Sequence, residues 1–225
     1  MKYPNFEEEK KLWQKGFKFV AGLDEAGRGP LAGPVTAAAV TFRNFKFTIS
    51  NFQSIFNDPI FKKIKDSKKL TPKMREEIYD VLIRHSNIEW GIGIISEKVI
   101  DKINILEATK LAMTKAVKDL AVNPDFLLLD GNFTLRQAQG EKYIPQKSII
   151  RGDQKVISIS AASIIAKVTR DRIMKKLHKK YPQYRFDKHK GYPTKLHIKM
   201  LKKFGACPIH RKSFRGTHKI KRALH

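Results

Sequence analysis

The sequence predicts a mixed α/β fold, and three observations carry that expectation. Short apolar runs at 17–24, 34–42, 88–96, 126–130 and 148–153 alternate with longer helical patterns, the order that lays helices against a sheet. Hydrophobic residues make up 41% of the 225, enough to build a core and to exclude global disorder. No repeat, low-complexity tract or convincing linker divides the chain, so residues 1–225 read as a single domain.

The elements follow in order. Phe6–Lys15, acidic and then basic, patterns as a short helix against the body. Residues 17–24 enter the core as a strand, and PVTAAAVTF (34–42) returns as its partner through a Gly-rich, hairpin-style connection. The aromatic and basic stretch 44–65 has no firm period and reads as a loop with strand or turn pieces. Thr71 as N-cap and Pro72 at the first helical position start a helix reaching His85, with Ile78, Val81 and Leu82 as its apolar stripe. IEWGIGIIS (88–96) is a strand. The helix over 104–120 sets Ile105, Thr109, Ala112, Ala116 and Leu120 on one face, and Pro124 breaks it. FLLLD (126–130) is a short buried strand, and SIIRGD (148–153) a further strand ending on an acid. Residues 157–176 form a long helix rich in small residues, and 195–204 an amphipathic one.

Charge narrows the function. With 46 Lys+Arg against 21 Asp+Glu, the net charge is +25. From Lys175 to His225 there are seventeen bases against one acid, Asp187, with six aromatic residues between them. Such a surface suits a polyanion, with bases on phosphates and aromatic faces on sugars or bases. A lysine-rich surface coat is the plainer explanation of the charge alone. An anionic membrane would need a long apolar span or an amphipathic anchor, and the sequence offers neither. The lone Cys207 cannot form an intrachain disulfide, and residues 1–16 lack the apolar region of a signal peptide. The expectation is a cytoplasmic nucleic-acid-binding protein.

Three core runs end on carboxylates: FVAGLDE on Asp24 and Glu25, FLLLDG on Asp130, SIIRGD on Asp153. One strand-end acid ordinarily caps the next turn. If the three strands lie side by side, four carboxylates converge, and crowded like charges raise one another's pKa unless a cation sits among them. Oxygen ligands without His or Cys select Mg2+ or Mn2+. Within a basic surface, that combination implies two-metal phosphodiester hydrolysis. Adjacent strand residues point to opposite faces, so Asp24 and Glu25 share a site only if the strand ends or bulges there, which Gly27 permits.

Six motifs in order extend this reading: GLDEAGRGPLAGPV, DSKKL (Asp66–Leu70), NILEATKLAM, LLLDGN, RGD followed by SISAASIIAKVTRD, and HKGYPT. Through them the chain resembles ribonuclease HII, the bacterial type 2 ribonuclease H, from Phe19 to about Ala223. The resemblance implies an RNase H-like core over about 17–175, a central mixed sheet flanked by helices. It also implies a helical, basic portion over about 176–225 that clamps substrate. The implied activity is endonucleolytic cleavage of the RNA strand of RNA–DNA hybrids and incision at ribonucleotides embedded in duplex DNA, leaving 3′-hydroxyl and 5′-phosphate ends. Asp24, Glu25 and Asp130 match the family's principal metal ligands, and Asp153 its fourth catalytic carboxylate, with Mn2+ or Mg2+ as cofactor. Gly27, Arg28 and Gly29 match the element that reads the ribose 2′-hydroxyl, and Tyr192 the tyrosine that stacks at an RNA–DNA junction. A monomer is implied; nothing in the sequence assigns a replication-clamp contact. The motifs begin without a preceding domain, which disfavours the sister family ribonuclease HIII.

The remaining candidates come from spacing. Ser163, Lys167, Thr169 and Arg170 lie one or two turns apart on one helix and read as phosphate contacts. Asp171 reads as half of a helix-surface ion pair. His189, His197 and His210 fit no helical ligand pair and read as phosphate-contact or surface residues. Two alternatives stand beside the nuclease: a non-catalytic basic binding module whose acids are structural caps, and a nuclease of the same fold that cuts DNA.

Overall fold

The computed structural model describes residues 3–42, 64, 70–136 and 143–217. At its centre is strand β1 (Val20–Ala26), paired antiparallel with β2 (Val35–Phe42), which pairs antiparallel with β3 (Ile88–Ile95). On its other side β1 runs parallel to β4 (Phe126–Asp130), and β4 parallel to β5 (Gln146–Ile149). The mixed sheet has the order β3-β2-β1-β4-β5. Because helices cover both faces, β1 and β2 are nearly continuous apolar runs without alternation.

Helix α1 (Glu7–Gln14), α2 (Pro72–Leu82) and the long α4 (Ile157–Lys180) cover one face. There Val20, Ala38, Val40 and Leu128 meet Leu12, Trp13, Ile78, Leu82 and Ile159. Helix α3 (Glu97–Lys118) covers the other, placing Ala108, Ala112, Met113 and Ala116 on Leu23, Ala37, Ala39 and Leu129. The first ten residues of α4 are all buried, so its small side chains serve close approach on every side. At Gly22 of β1, a Cβ would stand 2.4 Å from the Ser158 backbone.

Several sequence expectations are corrected. Helix α3 starts seven residues before 104, and Asn104 (φ 64) interrupts it; its Oδ1 accepts the Leu106 and Glu107 amides at 2.9 and 3.1 Å. Asn104 therefore caps the expected helix, and a preceding turn of helix continues from it. In α2, Thr71 Oγ1 accepts from the Met74 amide as expected, but Val81 is 47% exposed. The buried arc runs through Arg75, Ile78, Tyr79 and Leu82, and Val81 lies about 100° away from Leu82 around the helix. Strand β5 stops at Ile149; Arg151 turns left-handed (φ 56), and Asp153 sits in a 3-10 turn, Gly152–Gln154. The loop expected over 44–65 and the DSKKL motif lie outside the described residues, except that Ile64 and Leu70 are buried.

After α4 come the one-turn α5 (Phe186–His189) and α6 (Lys195–Phe204), the latter capped by Thr194 accepting from the His197 amide at 3.2 Å. Tyr184, Phe186, Leu201 and Ile209 pack with Leu31 and Met174 in a third apolar cluster, which holds the β1–β2 connection.

Glu9 of α1 is fully buried and accepts from the Ser158 amide (2.9 Å) and hydroxyl (2.7 Å) where α4 begins. Burial pushes its carboxyl from the ordinary 4.5 up to about 7, against the lowering effect of those hydrogen bonds. Between those two values the folded chain holds a proton that the unfolded chain has lost. This contribution to stability is fully present below pH 4.5 and is lost as pH rises through about 7. Glu9→Gln keeps an acceptor for Ser158 and removes the ionisation, so it is expected to be about 2 kcal/mol more stable than the parent at pH 8. Urea unfolding from pH 5 to 8 checks this; a variant whose stability falls as steeply as the parent's refutes it.

Candidate active site

The acids meet at the end of the sheet. In the parallel register Leu23 lies opposite Leu129, so one further residue sets Asp24 beside Asp130, both on the α4 face. From β1 the chain turns to β2 on one side, and from β4 to β5 on the other. An open sheet offers its crevice at such a switch point, beyond the carboxyl ends of the strands. Asp24, Glu25 and Asp130 line a cleft of about 260 Å³ there.

Asp24 is buried; it accepts the Glu25 amide at 2.7 Å and the Ser163 hydroxyl. Burial, and then the charges of Glu25 and Asp130, hold its carboxyl well above the ordinary carboxylate range. Asp130 Oδ1 accepts the Gly152 amide at 2.7 Å. Strand β1 does not bulge: Glu25 pairs with Ala37 and Ala26 with Thr36 in regular register. The strand ends one residue after Glu25, which lines the cleft from that end and reaches Arg28 at 3.4 Å. Asp153 follows the glycine bound to Asp130, but it is buried and is not among the cleft-lining residues.

This donor set fits a hard divalent cation. Every donor is a carboxylate oxygen, and the crowding that raises Asp24 is what a cation relieves. Asp24, Glu25 and Asp130 are the side chains that could hold one. Among the described residues, no three His, Cys, Asp or Glu side chains already close on a common point.

The rim is polar and cationic. Gly27, Arg28 and Gly29 of the β1–β2 connection, Ser163 and Lys167 of α4, Arg75 of α2 and Tyr192 line the cleft with the acids. Lys167 Nζ binds Asp171 at 2.8 Å, the expected helix-surface pair, and stands 5.5 Å from the Tyr192 ring centre. A Cβ on Gly29 would lie 3.9 Å from the Tyr192 ring, so turn and tyrosine flank one point.

Two of the four helical phosphate candidates are not on this rim. Arg170 is wholly buried, its guanidinium donating to the carbonyls of Pro34 (2.9 Å), Lys190 (3.0 Å) and Ala32 (3.1 Å). Thr169 does not line the cleft, and among the described residues its buried hydroxyl has no hydrogen-bond partner. The histidines are also corrected: His189, His197 and His210 are buried. His189 stacks on His197 at 4.3 Å, and His197 Nε2 meets His210 Nε2 at 3.1 Å. His197 Nδ1 lies 3.0 Å from the Tyr192 carbonyl, so it donates there, and His210 Nε2 donates to His197. Burial lowers the pKa of all three, those of His197 and His210 to about 4, which favours neutral rings bonded to backbone and to one another. Sequence reasoning missed Arg75, which carries no motif signal, and Arg211, fully buried beneath the Gly27–Gly29 turn.

Solved structures define the class. Ribonuclease H2 of Pyrococcus horikoshii superposes with a TM-score of 0.68 at 29% identity, covering 92% of this chain and 98% of that one. A crystal structure of Bst-RNase HIII in complex with Mn2+ shares the fold, with a TM-score of 0.65 at 15% identity over 92% of this chain and 70% of that one. This is the type 2 ribonuclease H architecture. The family model for ribonuclease HII matches residues 21–217. Ribonuclease HII of Chlamydia caviae is 51% identical over 215 residues, 96% of this chain and 92% of its own. The chain belongs to the ribonuclease HII family and is an endoribonuclease acting on the RNA of RNA–DNA hybrids. Among the described residues, no helix is long and apolar enough to cross a membrane.

Proposed function

We propose that this enzyme cleaves by divalent-metal-assisted hydrolysis and also incises at single ribonucleotides embedded in duplex DNA, leaving 3′-hydroxyl and 5′-phosphate ends. Asp24, Glu25 and Asp130 are the principal ligands in this reading, with Asp153 as the fourth carboxylate. The observation that carries it is the meeting of acids from neighbouring strands in one cleft, walled by a glycine turn and a cationic, aromatic rim. Held by these carboxylates, Mn2+ or Mg2+ (two ions in the two-metal form of this chemistry) would supply an activated water and would neutralise charge at the scissile phosphate. The Mn2+ complex of Bst-RNase HIII supports a divalent cofactor on this fold. Asp153 would act through the Gly152 turn that already holds Asp130.

The chain's own groups have separable tasks. Ser163 orients Asp24, and Lys167, which lines the same cleft, meets a phosphate. Gly27 and Gly29 present no side chain of their own to an approaching ribose, and its 2′-hydroxyl can donate and accept at this backbone. Tyr192, 36% exposed between that turn and Lys167, offers a ring face to the adjoining deoxyribose. The test is a labelled duplex with one embedded ribonucleotide, incubated with Mn2+, Mg2+ or EDTA. Incision at the ribonucleotide with metal and none with EDTA is expected. Salt-sensitive binding without turnover under either metal indicates the binding module instead, and cleavage of all-DNA duplex indicates a DNA nuclease.

Tyr192→Ala separates stacking from general affinity. Its loss is expected to slow junction incision at least tenfold, about 1.4 kcal/mol of transition-state positioning, while the duplex Kd changes less than threefold. Equal losses in both measurements refute the stacking role.

A further inference from the structure

Two guanidiniums lie buried beneath the Gly27–Gly29 turn, and among the described residues neither forms a salt bridge with a carboxylate. Arg170 binds Pro34, Ala32 and Lys190 as described above. Arg211 binds the carbonyls of Gly33 at 3.0 Å, Arg28 at 3.0 Å and Gly27 at 2.6 Å. Its own amide donates to the Leu31 carbonyl at 2.8 Å, and its guanidinium stands 5.0 Å from the Phe214 ring centre. A pair of buried like charges is costly, and the nearby Arg170 charge adds to burial in lowering the Arg211 pKa. Stability alone gives this placement a weak rationale; what the pair holds gives a better one.

In a trans peptide the carbonyl and the following N–H point in opposite directions. Arg211 fixes the carbonyls of Gly27 and Arg28 inward, which aims the N–H groups of Arg28 and Gly29 outward, at the cleft wall these residues form. Among the described residues, neither N–H donates to another backbone carbonyl. We propose that Arg211 is a positioning residue for ribonucleotide discrimination: its planar fork orients two backbone donors toward the ribose 2′-hydroxyl. This rests on the 2′-hydroxyl reading of the turn given above. Lysine cannot substitute, because one ammonium cannot span three carbonyls in a plane.

The test compares the parent with Arg211→Lys and Arg211→Gln, each with its folded fraction fixed by circular dichroism. Two quantities are read: kcat/KM on the single-ribonucleotide duplex, and Kd for the all-DNA duplex of the same sequence. The expected result is a loss of about tenfold or more in kcat/KM, chiefly in kcat, with the all-DNA Kd unchanged within about twofold. A merely structural role lowers the active fraction and leaves kcat per folded molecule at the parental value, which overturns the inference. If both variants unfold, the parent decides: its Arg211 Nε–H resonance is expected to move on adding the ribonucleotide duplex and to stay with the all-DNA duplex. Identical shifts with the two duplexes overturn it. If the parent itself does not distinguish these duplexes, the 2′-hydroxyl reading fails, a result separate from failure of Arg211.

Discussion

Asp24→Asn is expected to lower single-turnover cleavage of an RNA–DNA hybrid by about a thousandfold or more, since metal-assisted charge stabilisation contributes several kcal/mol. The same change should leave hybrid binding intact or tighter, because it removes a negative charge facing a phosphate. It should also raise the Tm in EDTA. Asp24 is buried and crowded by Glu25 and Asp130, so its ionised form is disfavoured in the folded state. Such a group contributes stability at low pH and loses it as pH rises through the raised pKa, and asparagine removes that loss. Mn2+ should reverse the order: it raises the Tm of the parent by linkage and has little effect on the variant. Cleavage, hybrid Kd and two melting curves form one experiment. Parental cleavage rates in both Asp24→Asn and Asp130→Asn would falsify the metal-ligand assignment.

The convergence of Asp24 and Asp130 was legible because each ends an apolar run, and two such runs pair in parallel with matching burial. That alignment needs only strand periodicity and a shared core. Asp153 was legible as an acid near the site, but not its placement: a left-handed Arg151 and a 3-10 turn replace the end of the strand. Arg170 and the three histidines were misread for a common reason. A basic or imidazole side chain looks like a phosphate contact when its partners are invisible, and here the partners are backbone carbonyls or one another. Carbonyls carry no sequence signal. Arg211 was passed over on the same account, because its three acceptors lie 178 to 184 residues away and belong to no side chain.

Gly27→Ala is expected to be strongly destabilising. At φ +101 an alanine is strained wherever it has room, and here it has none: its Cβ would stand 2.1 Å from Arg170 Nε and 2.9 Å from the Pro34 carbonyl. Arg170 cannot move aside freely, because its guanidinium is held by three carbonyls at 2.9 to 3.1 Å in a buried site. Displacing it breaks charge-assisted bonds worth about 1.5–3 kcal/mol each, on top of about 1 kcal/mol of backbone strain. A loss of at least about 3 kcal/mol in urea unfolding follows. Gly29→Ala is the control. Gly29 is not in the left-handed region, and among the described residues its Cβ would meet only the Tyr192 ring, at 3.9 Å. That variant should keep parental stability within about 0.5 kcal/mol, yet cut the single-ribonucleotide duplex more slowly, because its methyl enters the space between turn and tyrosine. If Gly27→Ala unfolds at the parental urea midpoint, the buried arginine does not hold the turn. If Gly29→Ala cuts at the parental rate, the space between the turn and Tyr192 does not receive the ribose.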